Sequence, residues 1–190
     1  QASQWSRVAG QDRSALDGRQ GMSKKISLHE FQSYLAARLA GTSNQSSAGL
    51  LGVQAGPDYW LLDLADSGEI VPLTPLTEVP LTKPWFAGIA NIRGNLHSVV
   101  DLSAFVGKEA TPRNTSSRLL LIGTRHGSNA ALLVNRMIGL RNVEALNPEA
   151  AAPDAQAWAP EAYTDNEGRR WSKLKVRELL ADEAFMDIGV

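Results

Sequence analysis

The chain has 190 residues, 43% apolar and 21% charged, enough for one ordinary domain or two small subdomains whose core needs no disulfide or metal. Its formal net charge of −1 supplies no global field for nucleic acid or an anionic membrane. It contains no cysteine, which excludes a disulfide scaffold, a Cys-ligated zinc site and a thiol nucleophile, and fits a reducing cytoplasm.

Residues 1–21 are rich in Gln, Ser, Arg and Gly and have no hydrophobic period. Across residues 1–25, Arg7, Arg13, Arg19, Lys24 and Lys25 outnumber Asp12 and Asp17. Residues 1–25 are therefore expected to be disordered or non-native, with Met22 as a candidate native start. Residues 26–48 read as an amphipathic helix and linker. Ser27-Leu28-His29-Glu30 has the form of a capping box. Leu28, Phe31, Leu35 and Leu39 then make one apolar stripe, which Gly41 ends. That stripe is expected to dock on the body of the protein; binding a partner is the alternative.

From Gly49 the texture changes to short apolar runs between turn signals. Leu50 to Val53 and Tyr59 to Leu62 flank Gly56-Pro57-Asp58. Gly88 to Arg93 and Leu96 to Asp101 flank Gly94-Asn95, which predicts a tight hairpin of type II′. Arg118 to Ile122 and Ala130 to Val134 predict a second hairpin, and Ile138 to Val143 another strand. An Ala- and Pro-rich loop is expected from Asn147 to Pro160. Tyr163-Thr164 and Arg170 to Leu174 flank Asp165-Asn166-Glu167-Gly168, a third hairpin. Val176, Leu179 and Leu180 suit a short helix, and Phe185, Met186, Ile188 and Val190 leave an apolar tail. Many short strands without βαβ alternation argue for an all-β fold, as two small bent barrels with a few short helices. No apolar run approaches the ~20 residues that span a bilayer, so direct membrane insertion is not expected.

Catalytic motifs are absent from the sequence. His29, His97 and His126 show no metal-ligand spacing, and there is no G-x-S-x-G, phosphate loop or G-x-G-x-x-G. The chain is read as a non-enzyme with no cofactor and no metal.

Gly88-Ile89-Ala90-Asn91-Ile92-Arg93-Gly94, followed by Val99-Val100-Asp101-Leu102, resembles the signature hairpin of the CheW family of chemosensory adaptors. Glu69-Ile70 resembles the Glu-apolar pair that leads out of the family's early strands, and Val79-Pro80 and Pro84-Trp85-Phe86-Ala87-Gly88 resemble its approach to that hairpin. The resemblance runs from about Gly49 to Leu180. The helix before the first barrel and the ending Phe185 to Val190 resemble the branch linked to type IV pilus twitching motility. His97, Ser98 and Asn135 depart from the family pattern, which commonly has an apolar residue, Pro and Asp there.

The resemblance implies two five-stranded SH3-like barrels forming one domain over 49–190. It implies a cytoplasmic adaptor between a methyl-accepting chemoreceptor and a CheA-type histidine kinase, recruited to the inner membrane only through receptor arrays. The receptor's hairpin tip would sit in the groove between the barrels. Arg93, Glu69, Asn91, Ile92, Gly94 and Ile70 are the expected partner-binding residues, and Gly88 and Asp101 the structural residues of the hairpin. For Arg93 an internal ion pair, with Asp101 as the candidate, is the other reading, and the two roles are compatible. Asn91 suits bridging of backbone groups, and Val99 and Val100 suit the core. Trp60, Trp85 and Trp171 are expected in the core, and Trp158 is expected to fold back onto it. A barrel that binds a peptide or small molecule, and a flagellar adaptor of the same family, are the rival functions.

Overall fold

The computed structural model describes residues 49–190. The expected segment 1–25, with Trp5, and the helix and linker at 26–48 lie outside the described residues. From Gly49 the chain forms β1 (Gly49–Ala55), β2 (Asp58–Asp63), β3 (Ser67–Pro72), β4 (Leu76–Thr77), β5 (Phe86–Ile92) and β6 (Asn95–Asp101). A one-turn helix α1 (Leu102–Phe105) leads to β7 (Arg118–Ile122), β8 (Ala130–Val134) and β9 (Arg136–Asn142). Then come β10 (Asn147–Glu149), β11 (Glu161–Thr164), β12 (Arg170–Leu174) and two short helices, α2 (Val176–Leu180) and α3 (Glu183–Met186).

Among the described residues the strands form two sheets, ordered β10-β11-β12-β2-β1-β9 and β3-β7-β8-β6-β5-β4. Each is a set of five strands with one very short edge strand added, β10 or β4. β10 lies in the stretch expected to be loop, where Asn147 to Glu149 pair with β11. Both sheets follow one pattern, two antiparallel hairpins joined by a parallel pair. In the first, β1-β2 and β11-β12 meet through β2 and β12; in the second, β5-β6 and β7-β8 meet through β6 and β8.

Side chains alternate between the faces of a strand, so a strand buried throughout must pack on both sides. β8 is such a strand. Its Ala131 and Leu133 join Ile92, Val99, Leu119 and Leu121 inside the curl of the second sheet. Its Leu132 and Val134 face the other way, into a layer shared with Leu120 and with Leu51, Val53 and Leu62 of the first sheet. Leu50, Leu61, Leu146 and Trp171 fill the inside of the first sheet. Val99 and Val100 are both core, on opposite faces.

The aromatic residues close the ends. Trp158 folds back and is buried against Trp60 and Phe105, with ring centroids 5.7 Å from each. Trp85 stacks on Phe185 of α3 at 6.3 Å, anchoring the apolar tail. Trp171 is fully buried, and its indole N–H donates to Asp165 Oδ2 at 2.9 Å. Asp165 Oδ1 also accepts from the Glu167 and Arg169 backbone N–H groups, both at 2.9 Å, which holds the β11–β12 turn.

Gly88 and Asp101 hold the β5–β6 hairpin in place. Gly88 sits at a β-bulge with φ +128, and a Cβ there would lie 2.4 Å from the Thr77 carbonyl oxygen. Asp101 is buried at the end of β6. It accepts from Thr111 N–H and Thr111 Oγ1, both at 2.7 Å, and caps α1 through Ala104 N–H. Asn135 accepts from the Gly56 N–H at 2.7 Å, a contact that a carboxylate would also make.

Two outcomes are expected. Asp101→Ala leaves two buried donors of Thr111 without a partner and should lower stability by about 2–3 kcal/mol in urea unfolding. Burial works to raise the Asp165 pKa, but the hydrogen bonds from Trp171, Arg169 and Glu167 outweigh it and hold the carboxyl below the usual aspartate value. A depressed folded pKa gives stability that is complete above the unfolded value and is lost as pH falls through the folded one. Unfolding midpoints followed downward from pH 6 should therefore stay level for this group until pH passes below the ordinary aspartate range, and Asp165→Asn should remove that acid-dependent part.

Candidate functional site

β5 ends at Ile92 and β6 begins at Asn95, and these two residues pair across the ladder. The loop is therefore two residues, Arg93-Gly94, with φ of +54 and +84. Two positive values define a type I′ turn, which replaces the expected II′ turn on Gly94-Asn95. Type I′ matches the right-handed twist of the flanking strands, but it places a long cationic residue in a backbone region that residues other than Gly, Asn and Asp rarely adopt. Asn91 supports the turn by accepting from the Gly94 N–H at 2.9 Å, the backbone-bridging role read from sequence.

The Arg93 guanidinium grips Glu69 in a two-pronged ion pair. Its Nη1 donates to Oε2 at 2.6 Å and its Nη2 to Oε1. These hydrogen bonds, and then the carboxylate charge, raise the guanidinium pKa above its already high ordinary value. Asp101, the partner proposed from sequence, is on the far end of β6 and occupied with Thr111. The reason is topological. Glu69 lies on β3 and Arg93 at the tip of β5–β6, four steps apart in the sheet order. In a flat sheet four spacings of ~4.8 Å would separate them by ~19 Å. They touch because the sheet curls round, so the pair clasps the closing edges of the second barrel. A β-bulge between Ser67 and Ile70 lifts Glu69 out of the β3–β7 ladder toward the turn.

The pair is open to water, with side-chain exposures of 71% for Arg93 and 42% for Glu69. Exposed pairs are screened and add little to stability.

The other predicted residues divide. Gly94 is in the turn and Asn91 beneath it, both exposed. Ile92 points into the barrel interior, because the residue before the turn continues the inward row of Ala90. Ile70 is half-buried at the rim of the layer between the sheets.

Sequence reading missed four residues. Leu96, 62% exposed, stands opposite Asn91 on the outer face of the hairpin. His97 pairs with Ala90 and faces inward. The inward position of Val99 already implied both, since alternation puts His97 in and Leu96 out. Met137 and Leu140 are exposed on the edge strand β9. They stand opposite Val53 and Leu51, so they continue the inter-sheet apolar layer out to solvent. A bulge at Gly52/Val53 brings them onto one face despite their odd spacing, and no sequence period shows that.

A cleft of about 380 Å³ opens beside the turn, lined by Arg93, Glu69, Asn95, His97, Arg125 and Asn129 among others. On its far side the buried Asp66 takes Arg125 Nη2 at 2.5 Å and His126 Nε2 at 2.9 Å on one carboxylate oxygen.

Comparison with known proteins agrees with this architecture. Residues 49–184 match the family described as CheW-like domain. Protein PilI of Pseudomonas aeruginosa is 26% identical over 149 residues, which cover 77% of this chain and 82% of PilI. The crystal structure of the scaffolding protein TtCheW from Thermoanaerobacter tengcongensis superposes with a TM-score of 0.59 at 18% identity, covering 72% of this chain and 94% of that one. The structural likeness at that identity concerns the fold.

Because Asn-Gly is the preferred type I′ pair, Arg93→Asn should raise the urea unfolding midpoint, whereas Arg93→Val should lower it through its β-branched side chain at positive φ. Equal midpoints for the two variants would show that the turn stores no strain.

Proposed function

We propose, from the premise that this chain belongs to the CheW-like domain family, that it is a non-catalytic adaptor joining a methyl-accepting chemoreceptor to a CheA-type histidine kinase. The observation that carries this is Arg93: a guanidinium held out from a strained turn, oriented by Glu69 and left open to solvent. Such a group is ready for carbonyls or carboxylates of another protein, since its charge is already partly compensated and its fork is already aimed.

Arg93, Glu69, Asn91 and Gly94 form the polar part of the contact, with Leu96 as the exposed apolar neighbour. Ile92 supports the turn from inside the barrel. A receptor's helical hairpin would lie along the apolar rim of the inter-sheet layer, at Ile70, Met137 and Leu140. The kinase's homologous domain would use a separate edge. Holding the two together raises their effective mutual concentration and lets a shift in the receptor bias the kinase. Each contact is expected near or below ~800 Å² per partner, as in non-obligate complexes.

The likeness to PilI over 77% of the chain supports a place in type IV pilus twitching rather than flagellar chemotaxis. The adaptor would work in the cytoplasm and reach the inner membrane through its receptor. None of the helices among the described residues is long and apolar enough to cross a membrane.

Arg93→Asp should cut recovery of the receptor fragment in a pull-down at least tenfold while circular dichroism stays that of the parent. The swapped pair Arg93→Glu with Glu69→Arg should restore the internal ion pair but not receptor capture. Full recovery of receptor by Arg93→Asp, or restored capture by the swap, would overturn the role given to Arg93.

A further inference from the structure

The apolar tail buries only part of itself. Phe185 and Ile188 pack against the layer between the sheets, whereas Met186 and Val190 stand in solvent. The tail is tied to the loop before β5. Lys83 N–H donates to the Ile188 carbonyl at 2.8 Å and Val190 N–H to the Leu81 carbonyl at 3.1 Å, around an antiparallel bridge of Thr82 with Gly189. The Lys83 ammonium also meets the Asp187 carboxylate at 2.9 Å. This ribbon sets Leu81 and Val190 at facing positions, 79% and 80% exposed, with Val79 and Met186 exposed on the same two segments. Among the described residues these four are half of the eight large apolar side chains left in solvent, so the exposure is clustered and not scattered.

Leu81 gains nothing from the fold where it stands. It follows Pro80 in a turn that Thr82 Oγ1 closes by donating to the Val79 carbonyl at 2.8 Å. Its φ is +59. Pro at the first central position and positive φ at the second is the type II pattern, in which Gly or Asn takes the second place. The backbone there disfavours a branched side chain, and the exposure disfavours an apolar one. Asn would suit the position better on both counts, so the fold does not account for a leucine. Burial by a second protein would. The surrounding charges select that protein. Residues 78–83 and 182–190 carry Glu78, Asp182, Glu183 and Asp187 against Lys83 alone, and Lys83 is engaged by Asp187. A second copy of this chain would set those carboxylates against their own kind. An apolar socket rimmed by Lys or Arg complements both the leucine and its acidic border.

We propose that Leu81 is the apolar anchor by which this chain docks the adaptor's second partner, the kinase, in a socket rimmed by Lys or Arg. The assignment rests on the adaptor reading, which gives the Arg93 turn to the receptor. The length of β5, about 20 Å from Phe86 to Ile92, separates the Leu81 loop from that turn. The two partners therefore approach opposite ends of one hairpin, which leaves room for both at once.

The test uses the full chain, the kinase's homologous domain and the receptor's cytoplasmic hairpin fragment in titration calorimetry. Leu81→Asn should weaken kinase binding about tenfold and leave receptor binding within about twofold of the parent. It should also unfold in urea at or above the parent midpoint, so the loss of binding is not a loss of fold. Leu81→Met keeps an apolar anchor and should bind kinase within about threefold of the parent. Glu78→Lys combined with Glu183→Lys should weaken kinase binding severalfold at low salt, with the difference shrinking as salt is raised. Kinase binding by Leu81→Asn equal to the parent's, or an unfolding midpoint below the parent's, overturns the anchor assignment and leaves the adaptor reading standing. An equal loss of kinase and receptor does the same. Unchanged kinase binding by the double lysine variant overturns the basic rim. A Leu81-dependent dimer in sedimentation, with kinase binding unaffected, gives the surface to a second copy instead. A parent chain that binds no kinase overturns the anchor and the adaptor reading together.

Discussion

The apolar layer between the two sheets is the constraint from which the rest of the structure follows. Leu51, Val53 and Leu62 on one side and Leu120, Leu132 and Val134 on the other are buried only because both sheets are present. Each buried side chain of this size contributes about 1.5–3 kcal/mol relative to exposure. Neither sheet would keep that face dry alone, so the two curls form one cooperative unit although each has its own interior. The repeated plan, two hairpins joined by a parallel pair, is compatible with this. It places a strand buried on both faces near the middle of each sheet and leaves a very short strand, β10 or β4, at one edge.

A rigid scaffold of that kind lets the tip of one hairpin carry an unfavourable local conformation. Arg93 at positive φ is held by the ladder on both sides, by Asn91 beneath and by Glu69 across the closing edges of the barrel. Asp101 secures the other end of β6 from within the core. The two carboxylates thus do different work. The buried one supports the fold through hydrogen bonds with few competitors, and the exposed one aims a cation at low net gain in stability.

Much of this was legible in the residues. The hairpins over Gly88 to Asp101, Arg118 to Val134 and Tyr163 to Leu174 all form, because short alternating runs bounded by Gly, Asn and Asp have few other ways to bury one face. Trp158 folds back as expected, since an indole in a loop gains more from burial than it loses in order. The turn was misplaced because Gly94 was taken as its first central residue, the one positive-φ position of a type II′ turn, whereas the register of Ile92 with Asn95 makes Gly94 the second and Arg93 the first, both at positive φ. β10 went unseen because a three-residue edge containing Pro148 has no pattern of its own and exists only where β11 offers it a partner.

The chain order of apolar and turn residues thus determined the strands, their hairpins and the arginine at the tip, because these depend on neighbours within about fifteen positions. Tertiary structure alone decided that Glu69 rather than Asp101 meets Arg93, that Met137 and Leu140 extend the shared layer, and that His97 faces a cleft. Each of these depends on how far a sheet curls and where a bulge shifts its register. Curl and register are set by packing summed over all the strands, and no short stretch of sequence carries that sum.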